Sequence, residues 1–210
     1  SVTTIGANAF LDSELTEIEI PATITTMESD AFWGANDLTS INYLGTVDQW
    51  AEIEFADEHS NPMRSGATFY IKGEKLTTVS IEKASVVKQY AFTYNSSIIS
   101  VKLGNSVIEI QKGAFEGATN IERVEIGENI SSIGNSAFRY INALSELTIH
   151  AVTVPTLASN WKPHDYIHLY VPCESLDLYK NALYFVYEIQ CISNEGDGED
   201  PENPDGGGNT

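Results

Sequence analysis

The chain has 210 residues, 42% of them hydrophobic and 10% aromatic, which is enough apolar material for one domain of ordinary size. Its 30 acidic and 11 basic side chains give a net charge of −19. A surface of that sign repels a phosphate backbone, so no nucleic acid is expected as a partner. No run of about 18 apolar residues occurs, so no membrane span is expected in this chain.

The first two coils of the chain share one apolar pattern. Each contains a segment of the form Leu-x-x-Ile-x-(Ile/Tyr), at residues 15–20 and 38–43, whose second half alternates between apolar and polar side chains. Such alternation is typical of a short strand with one buried face. An Ala-Phe pair at residues 9–10 recurs at residues 31–32. Alanine lets neighbouring coils approach closely, and phenylalanine fills the space between them.

An enlarged coil is predicted at about residues 45–73, because the next Ala-Phe pair comes 60 residues after Ala31 instead of 23. Val47, Trp50 and Ile53 have the spacing of a short amphipathic helix, with Asp48 in its first turn and Trp50 as a core anchor. Residues 68–71 have the pattern of a strand. The sequence leaves open whether the segment 67–76 adds a parallel rung or folds back as a hairpin.

A strict repeat of 23 residues then occupies the middle of the chain. The apolar residues of one coil return 23 positions later in the next, and these pairs are Ile98/Ile121, Val101/Val124, Leu103/Ile126, Val107/Ile130, Ile110/Ile133, Ala114/Ala137 and Phe115/Phe138. A fixed period of this length predicts a β-rich solenoid, in which each coil buries its apolar face on its neighbours. We assign residues 1–150 to this solenoid.

The period ends near residue 150. Residues 151–194 have a strand-helix-strand pattern, with the helix at about 174–183, and we interpret them as a small α/β C-terminal cap that closes the core. Residues 195–210 contain six acids and no Lys or Arg, which predicts a flexible acidic tail or linker. Cys173 and Cys191 either form one disulfide or serve as small buried hydrophobes.

Several motifs resemble those of the BspA-like leucine-rich repeat family of bacterial cell-surface proteins. The motif (Val/Ile)-x-x-Ile-Gly-x-x-Ala-Phe occurs at residues 2–10 and 130–138, Leu-x-x-Ile-x-Ile-Pro at 15–21, and Gly-Thr-Val-Asp-Gln-Trp at 45–50. The resemblance implies a right-handed stack of short parallel strands and an extracellular or cell-surface location. It also implies adhesion to host matrix proteins or to other bacteria. The sequence departs from the family pattern at residues 82–84, where Pro-x-x-Val is usual, so a local irregularity is expected there.

A binding surface is predicted where the outward side chains of the stacked strands form columns about 4.8 Å apart per rung. One column is expected to contain Glu17, Ser40, Thr78, Ser100, Arg123 and Glu146. The next is expected to contain Glu19, Asn42, Ser80, Lys102, Glu125 and Thr148. These side chains are small or charged and include no aromatic anchor, so the face either docks a partner or is merely solvated.

Trp33 is the strongest single indication of a contact site, because it stands where other coils have polar residues. The alternative is that its ring packs against the enlarged coil. His164 and His168 are four residues apart, but their segment leads into a strand and not a helix, so no metal site is expected. No phosphate loop and no nucleophile motif occurs, so neither a cofactor nor a catalytic residue is expected.

Two functions of different classes are consistent with these features. The first is a non-enzymatic interaction module that binds a host matrix protein, a glycan or another cell-surface protein through the sheet face or the enlarged coil. The second is a structural spacer that presents another domain.

Overall fold

A computed structural model describes residues 2–162, 166–183 and 188–192 of the chain. Most coils contribute one strand of four residues and one of two. In chain order the strands are β1 (Thr4–Ile5), β2 (Glu17–Ile20), β3 (Thr26–Met27), β4 (Ser40–Tyr43), β5 (Glu54–Phe55), β6 (Thr68–Ile71), β7 (Glu74–Lys75), β8 (Thr78–Ile81), β9 (Val86–Val87), β10 (Ser100–Leu103), β11 (Glu109–Ile110), β12 (Arg123–Ile126), β13 (Ser132–Ile133), β14 (Glu146–Ile149), β15 (Thr156–Leu157), β16 (His168–Val171) and β17 (Glu188–Cys191). The helices are α1 (Val47–Ala51) and α2 (Leu176–Ala182), and 3₁₀ turns occupy Pro62–Ser65 and Cys173–Ser175.

The strands stack into four sheets. The longer strands form one sheet in the order β2-β4-β6-β7 and another in the order β17-β16-β14-β12-β10-β8, while the two-residue strands form the sheets β1-β3-β5 and β15-β13-β11-β9. Every pairing is parallel except that of β6 with β7. The predicted β-rich solenoid of stacked parallel strands is therefore confirmed.

The alternating pattern of the strands determines what is buried. In β10, Val101 and Leu103 point into the core, while Lys102 between them is exposed. The Ala-Phe pairs form a second layer of the core. Their rings stack from coil to coil, with 5.2 Å between the ring centroids of Phe92 and Phe115 and 5.4 Å between those of Phe115 and Phe138. Close packing of this kind requires the small buried alanine that precedes each of these three phenylalanines.

The turn around each Ala-Phe pair uses two left-handed backbone positions, one before the alanine and one two residues after the phenylalanine. Tyr90 and Tyr94 adopt φ of 60° and 56° at these positions, and the next coil has Gly113 and Gly117 there. A Cβ on either glycine would lie 2.8 or 2.6 Å from the tyrosine ring beside it. The two glycines therefore allow both the positive φ and the close approach of the rings.

The enlarged coil begins with helix α1, which is capped by reciprocal hydrogen bonds between Thr46 and Gln49. The predicted helix is confirmed, and Trp50 is fully buried. Strand β6 pairs in parallel with β4, and β7 then folds back on β6 as an antiparallel strand. Both geometries that the sequence left open are thus present, one after the other, and the hairpin separates the two larger sheets.

The C-terminal segment extends the six-stranded sheet, because β16 pairs with β14, and β17 pairs with β16. Helix α2 lies between these two strands in the sequence and occupies most of the predicted range. Its Tyr179 is buried and donates a hydrogen bond of 2.9 Å to the carbonyl of Ala151. Cys173 and Cys191 are joined by a disulfide, with their α-carbons 4.5 Å apart. His164 and the acidic tail predicted at 195–210 lie outside the described residues.

Candidate functional site

The sheet face, defined as the outward side chains of the four-residue strands, has the predicted register within each block of coils. Ser100 aligns with Arg123, and Arg123 aligns with Glu146. Glu17 aligns with Ser40 and Glu19 with Asn42. The predicted step from Ser40 to Thr78 is wrong, because β6 places Thr68 beside Ser40 and the hairpin then ends that sheet. The outward side chains therefore form two separate sets. The first set lies on the sheet β2-β4-β6-β7, and the second lies on the sheet that begins with β8.

The second set surrounds a shallow cavity of about 380 Å³ on the sheet face. Its lining includes seven residues of the predicted columns, which are Thr78, Ser100, Lys102, Arg123, Glu125, Glu146 and Thr148. Their charges pair with one another: Arg123 Nε lies 3.1 Å from Glu146 Oε2, and Lys102 Nζ lies 3.7 Å from Glu125 Oε2. The two cations and two carboxylates sum to zero charge, so this part of the sheet face attracts a charged partner only weakly.

Two tyrosines also belong to the sheet face, although the sequence prediction found no aromatic residue there. Tyr70 aligns with Asn42, and Tyr170 aligns with Thr148. Both rings are half-buried. Both tyrosines lie in segments with a strand pattern, residues 68–71 and 169–172. In each segment the tyrosine follows an apolar residue, Phe69 or Leu169, and alternation along a strand places it on the outward face.

Trp33 lies on a different surface, in the turn that follows β3. Its side chain is 46% exposed, and its indole meets the ring of His59 edge-on, with 3.6 Å between the ring centroids. The enlarged coil places His59 there, because the amide of Phe32 donates a hydrogen bond of 3.1 Å to the carbonyl of His59. Both sequence interpretations of Trp33 therefore have a structural counterpart: the ring packs against the enlarged coil, and half of it stays exposed.

Carboxylates hold the imidazole of His59 in place. Its Nδ1 lies 3.2 Å from Asp30 Oδ1, and its Nε2 lies 3.7 Å from Glu58 Oε1. The Oδ1 atom of Asp57 accepts hydrogen bonds of 2.9 Å from the amides of His59 and Ser60. The backbone and the ring of His59 are thus both fixed, and His59 in turn orients the indole of Trp33.

The Trp33 cavity is an open cleft of about 330 Å³ beside the exposed indole. Its polar lining consists of Asp12, Asn36, His59, Arg64 and Ser65. The carboxylate of Asp12 lies directly above Gly34, where a Cβ would be 1.9 Å from Asp12 Oδ1 and where φ is +72°. Glycine is therefore required at this position for Asp12 to reach the cavity.

Arg64 connects the cavity to the coils that follow. Its Nη1 lies 2.8 Å from Glu58 Oε2, and its guanidinium stacks 4.9 Å from the ring centroid of Tyr94. Burial raises the pKa of the Tyr94 hydroxyl, although the nearby charge of Arg64 opposes that rise. Burial also raises the pKa of the neighbouring Glu116 carboxyl, against the opposing charge of Arg139. Arg64 thus links the lining of the cavity to a network of charged and aromatic groups on the following coils.

Asp30, Asp57 and His59 place possible metal-ligating atoms within 4.8 Å of one another. The sequence prediction of no metal site did not consider this group. Asp30 Oδ1 already pairs with the imidazole, and Asp57 Oδ1 already accepts two backbone amides. These hydrogen bonds account for the cluster, because they hold His59 in place.

The other histidines that the structure describes also pair with acids. His150 Nε2 lies 3.1 Å from Glu125 Oε1, and His168 Nε2 lies 3.4 Å from Glu188 Oε2. Both pairs are on or beside the sheet face. Among the described residues, no helix is long and apolar enough to cross a membrane.

Solved structures of bacterial leucine-rich repeat proteins have a similar fold. A leucine-rich repeat protein from Bacteroides ovatus matches 91% of this chain with a TM-score of 0.50 and 20% sequence identity. A leucine-rich cell-surface protein from Faecalibacterium prausnitzii matches 92% of the chain with a TM-score of 0.51 and 13% identity. The chain covers 46% of the first protein and 70% of the second. The search of curated proteins finds no match.

The family of BspA type leucine-rich repeat regions matches residues 1–61 and 65–160 in six copies. The matched ranges comprise most of the chain and include the coils that carry the sheet face and Trp33. The chain therefore belongs to the BspA-type leucine-rich repeat family.

Proposed function

We propose that this chain is a non-catalytic interaction module, at the cell surface or outside the cell, that binds a partner through the Trp33 cavity. The partner class is a host matrix protein, a glycan or another cell-surface protein. Membership of the BspA-type family supports the surface location, as does a disulfide, which persists in oxidising compartments. The acidic composition argues against nucleic acid.

The single observation that carries the proposal is the half-exposed indole of Trp33, fixed by His59 at the rim of a polar cavity. Tryptophan is one of the residue types enriched among those that supply most of the binding energy at protein interfaces. An indole held in this way loses little conformational freedom when a partner binds. The cavity also presents groups of both charges, so a partner can be recognised by hydrogen bonds as well as by ring contact.

The sheet face supports the alternative function, a structural spacer. Its cations pair with acids from the neighbouring rungs, as Arg123 does with Glu146. Such a surface is well solvated and presents few unsatisfied groups to a partner. We place binding at the Trp33 cavity and keep the predicted sheet-face residues as the site to compare it with.

The experiment is binding of the purified chain to immobilised matrix proteins, mucins and glycans at physiological salt. The test variant is Trp33→Ala, and the matched control is Tyr140→Ala, which removes another aromatic side chain of similar exposure (48%) outside the cavity. We expect saturable binding that Trp33→Ala weakens by about tenfold or more and that the control leaves intact. Equal binding by both variants would place the partner outside the Trp33 cavity and contradict the proposed site. No binding to any member of the panel would support the spacer instead.

A further inference from the structure

The Trp33 cavity has the size and shape of a site for one small ring. Its volume of about 330 Å³ is near the lower end of the range for ligand pockets, about 300–1,000 Å³. One wall is the indole of Trp33, and Gly34 and Ala35 bring the backbone close to the cavity. A flat π-face beside a small open cleft suits a flat, partly apolar ring better than it suits an extended chain.

The polar groups around the indole suit a ligand with many hydroxyls. Asp12 and Asn36 are short planar side chains that contact a ligand through two atoms each, and Arg64 is a planar donor. A hydroxyl is both a donor and an acceptor, so adjacent hydroxyls on a ring can bond to such a mixed set at once. A pyranose sugar combines these hydroxyls with a face of C–H groups that packs on an aromatic ring.

The charges near the cavity favour a neutral ligand. Arg64 is paired with Glu58, and His59 lies between the carboxylates of Asp30 and Glu58. Asp12 adds another negative charge to the lining. Because acids outnumber bases here and in the whole chain, a sialylated or sulfated sugar would be repelled.

We infer that the Trp33 cavity binds a neutral pyranose residue of a glycan, which stacks on the indole of Trp33 and bonds to Asp12, Asn36 and Arg64. The inference rests on the proposed interaction function and names its ligand class. A peptide ligand is disfavoured, since peptides dock on free strand edges or along apolar grooves. Here the strands beside the turn are paired, β3 with both β1 and β5, and the lining is mostly polar.

The fluorescence of the protein provides a direct test. Trp50 and Trp161 are buried and Trp33 is half-exposed, so quenching by acrylamide reports mainly on Trp33. The probes are the methyl glycosides of galactose, glucose, mannose, N-acetylglucosamine and N-acetylgalactosamine, with N-acetylneuraminic acid as the charged comparison. We expect at least one neutral glycoside to protect Trp33 from quenching in a saturable way, and N-acetylneuraminic acid to protect it less. Failure of every neutral glycoside up to its solubility limit would overturn the inference.

Ligand-observed NMR with the protecting glycoside then locates the site. We expect Trp33→Ala to abolish the saturation-transfer signal and Asn36→Ala to weaken binding by about tenfold, since one hydrogen bond is lost. Tyr140→Ala should bind as the wild type does. Unchanged binding by Trp33→Ala would place the sugar elsewhere and overturn the inference.

Glycosidase treatment of a bound matrix protein or mucin separates this inference from the proposed function. If the treatment removes binding that depends on Trp33, both stand. If the binding depends on Trp33 and survives the treatment, the interaction function stands and the glycan assignment fails, with a peptide surface as the ligand. If no sugar and no protein binds, both fail.

Discussion

The regular coils between β8 and β14 and the enlarged coil before them solve the same packing problem differently. In the regular coils each phenylalanine stacks on the next, as Phe115 does on Phe138. In the enlarged coil the backbone bond from Phe32 to His59 puts Ser60 in the place of the phenylalanine. The stack is interrupted there, and Trp50 fills the core instead, with its ring centroid 4.6 Å from that of Phe69.

The difference shows where unique chemistry can arise in a repeat protein. In a regular coil each outward residue lies beside its equivalent on the next rung. Charged residues therefore form ion pairs between rungs, as Arg123 does with Glu146. In the enlarged coil the order of residues follows no repeat, and side chains meet that have no equivalent elsewhere. The contact between Trp33 and His59 is one of these. Regular coils support the fold, and the irregular coil supplies the candidate site.

The largest expected effect is that of removing Trp50, on which the enlarged coil depends. Its ring contacts three other aromatic rings, and its Nε1 donates a buried hydrogen bond of 2.6 Å to the carbonyl of Ala91. We expect Trp50→Ala to lower the free energy of unfolding by about 5 kcal/mol, and Phe115→Ala by about 3 kcal/mol. Urea denaturation measures both. A larger loss for Phe115→Ala would contradict this contrast between the two regions.

The C-terminal segment adds a covalent link that the other coils lack. The disulfide between Cys173 and Cys191 spans 18 residues, and a loop of that length is worth about 3 kcal/mol. We expect Cys173→Ala/Cys191→Ala, or a reductant, to lower the free energy of unfolding by that amount. Thiol titration of the denatured, unreduced protein supplies the control, and two free thiols would show that the bridge is absent.

Asp48 joins the enlarged coil to the regular coils by polar contacts. Its Oδ1 accepts hydrogen bonds of 2.8–3.0 Å from the amides of Glu82, Lys83 and Ala84. Bonds to a charged acceptor are stronger than neutral ones, so we expect Asp48→Ala to cost about 2 kcal/mol and to speed hydrogen exchange at these three amides. Asp48→Asn keeps the acceptor without its charge and should cost less. Unchanged exchange in Asp48→Ala would contradict the contact.

The smallest expected effects separate two buried tyrosines. Tyr179 Oη donates to Ala151, whereas Tyr43 Oη, beside the enlarged coil, is buried without a hydrogen-bond partner among the described residues. We expect Tyr179→Phe to cost about 1 kcal/mol at neutral pH, and Tyr43→Phe to be neutral or stabilising. Urea midpoints of the two variants provide the measurement, and a greater cost for Tyr43→Phe would reverse the assignment.

The stability that Tyr179 contributes depends on pH. Burial raises the pKa of Tyr179 from 10.0 to about 12. The unfolded chain therefore loses this proton from about pH 10, while the folded chain keeps it until about pH 12, so stability falls as the pH rises through that window. Tyr179→Phe should weaken this decline. An identical decline in the variant and the wild type between pH 8 and 12 would show that other groups cause it.

The sequence was most informative where it repeats. The period of 23 residues predicted the strands β10, β12 and β14, their register and the buried Ala-Phe pairs, because these coils repeat the same pattern. In the enlarged coil, the spacing of Val47, Trp50 and Ile53 predicted α1 and the burial of Trp50. The sequence showed the irregularity at residues 82–84, because the usual Pro-x-x-Val is missing there. It did not show that Asp48 accepts the hydrogen bonds of their amides.

The enlarged coil was predictable only in part, since nothing in its sequence fixes which residue meets which across more than 20 positions. Trp33 stood out as an aromatic residue at a polar position. Its partner His59 could not be assigned, because the added residues have no equivalent in another coil to align with. The predicted alignment of Ser40 with Thr78 was wrong for the same reason, since β6 and the hairpin lie between them.

The most direct test of the account compares the two candidate surfaces in one binding assay. The wild type, Trp33→Ala and a variant with Lys102, Arg123, Glu125 and Glu146 all changed to alanine are titrated against the first matrix protein, mucin or glycan that binds the chain. We expect Trp33→Ala to lose about tenfold or more in affinity and the sheet-face variant to stay within about twofold of the wild type. The opposite ranking, with binding lost in the sheet-face variant and kept in Trp33→Ala, would contradict the account.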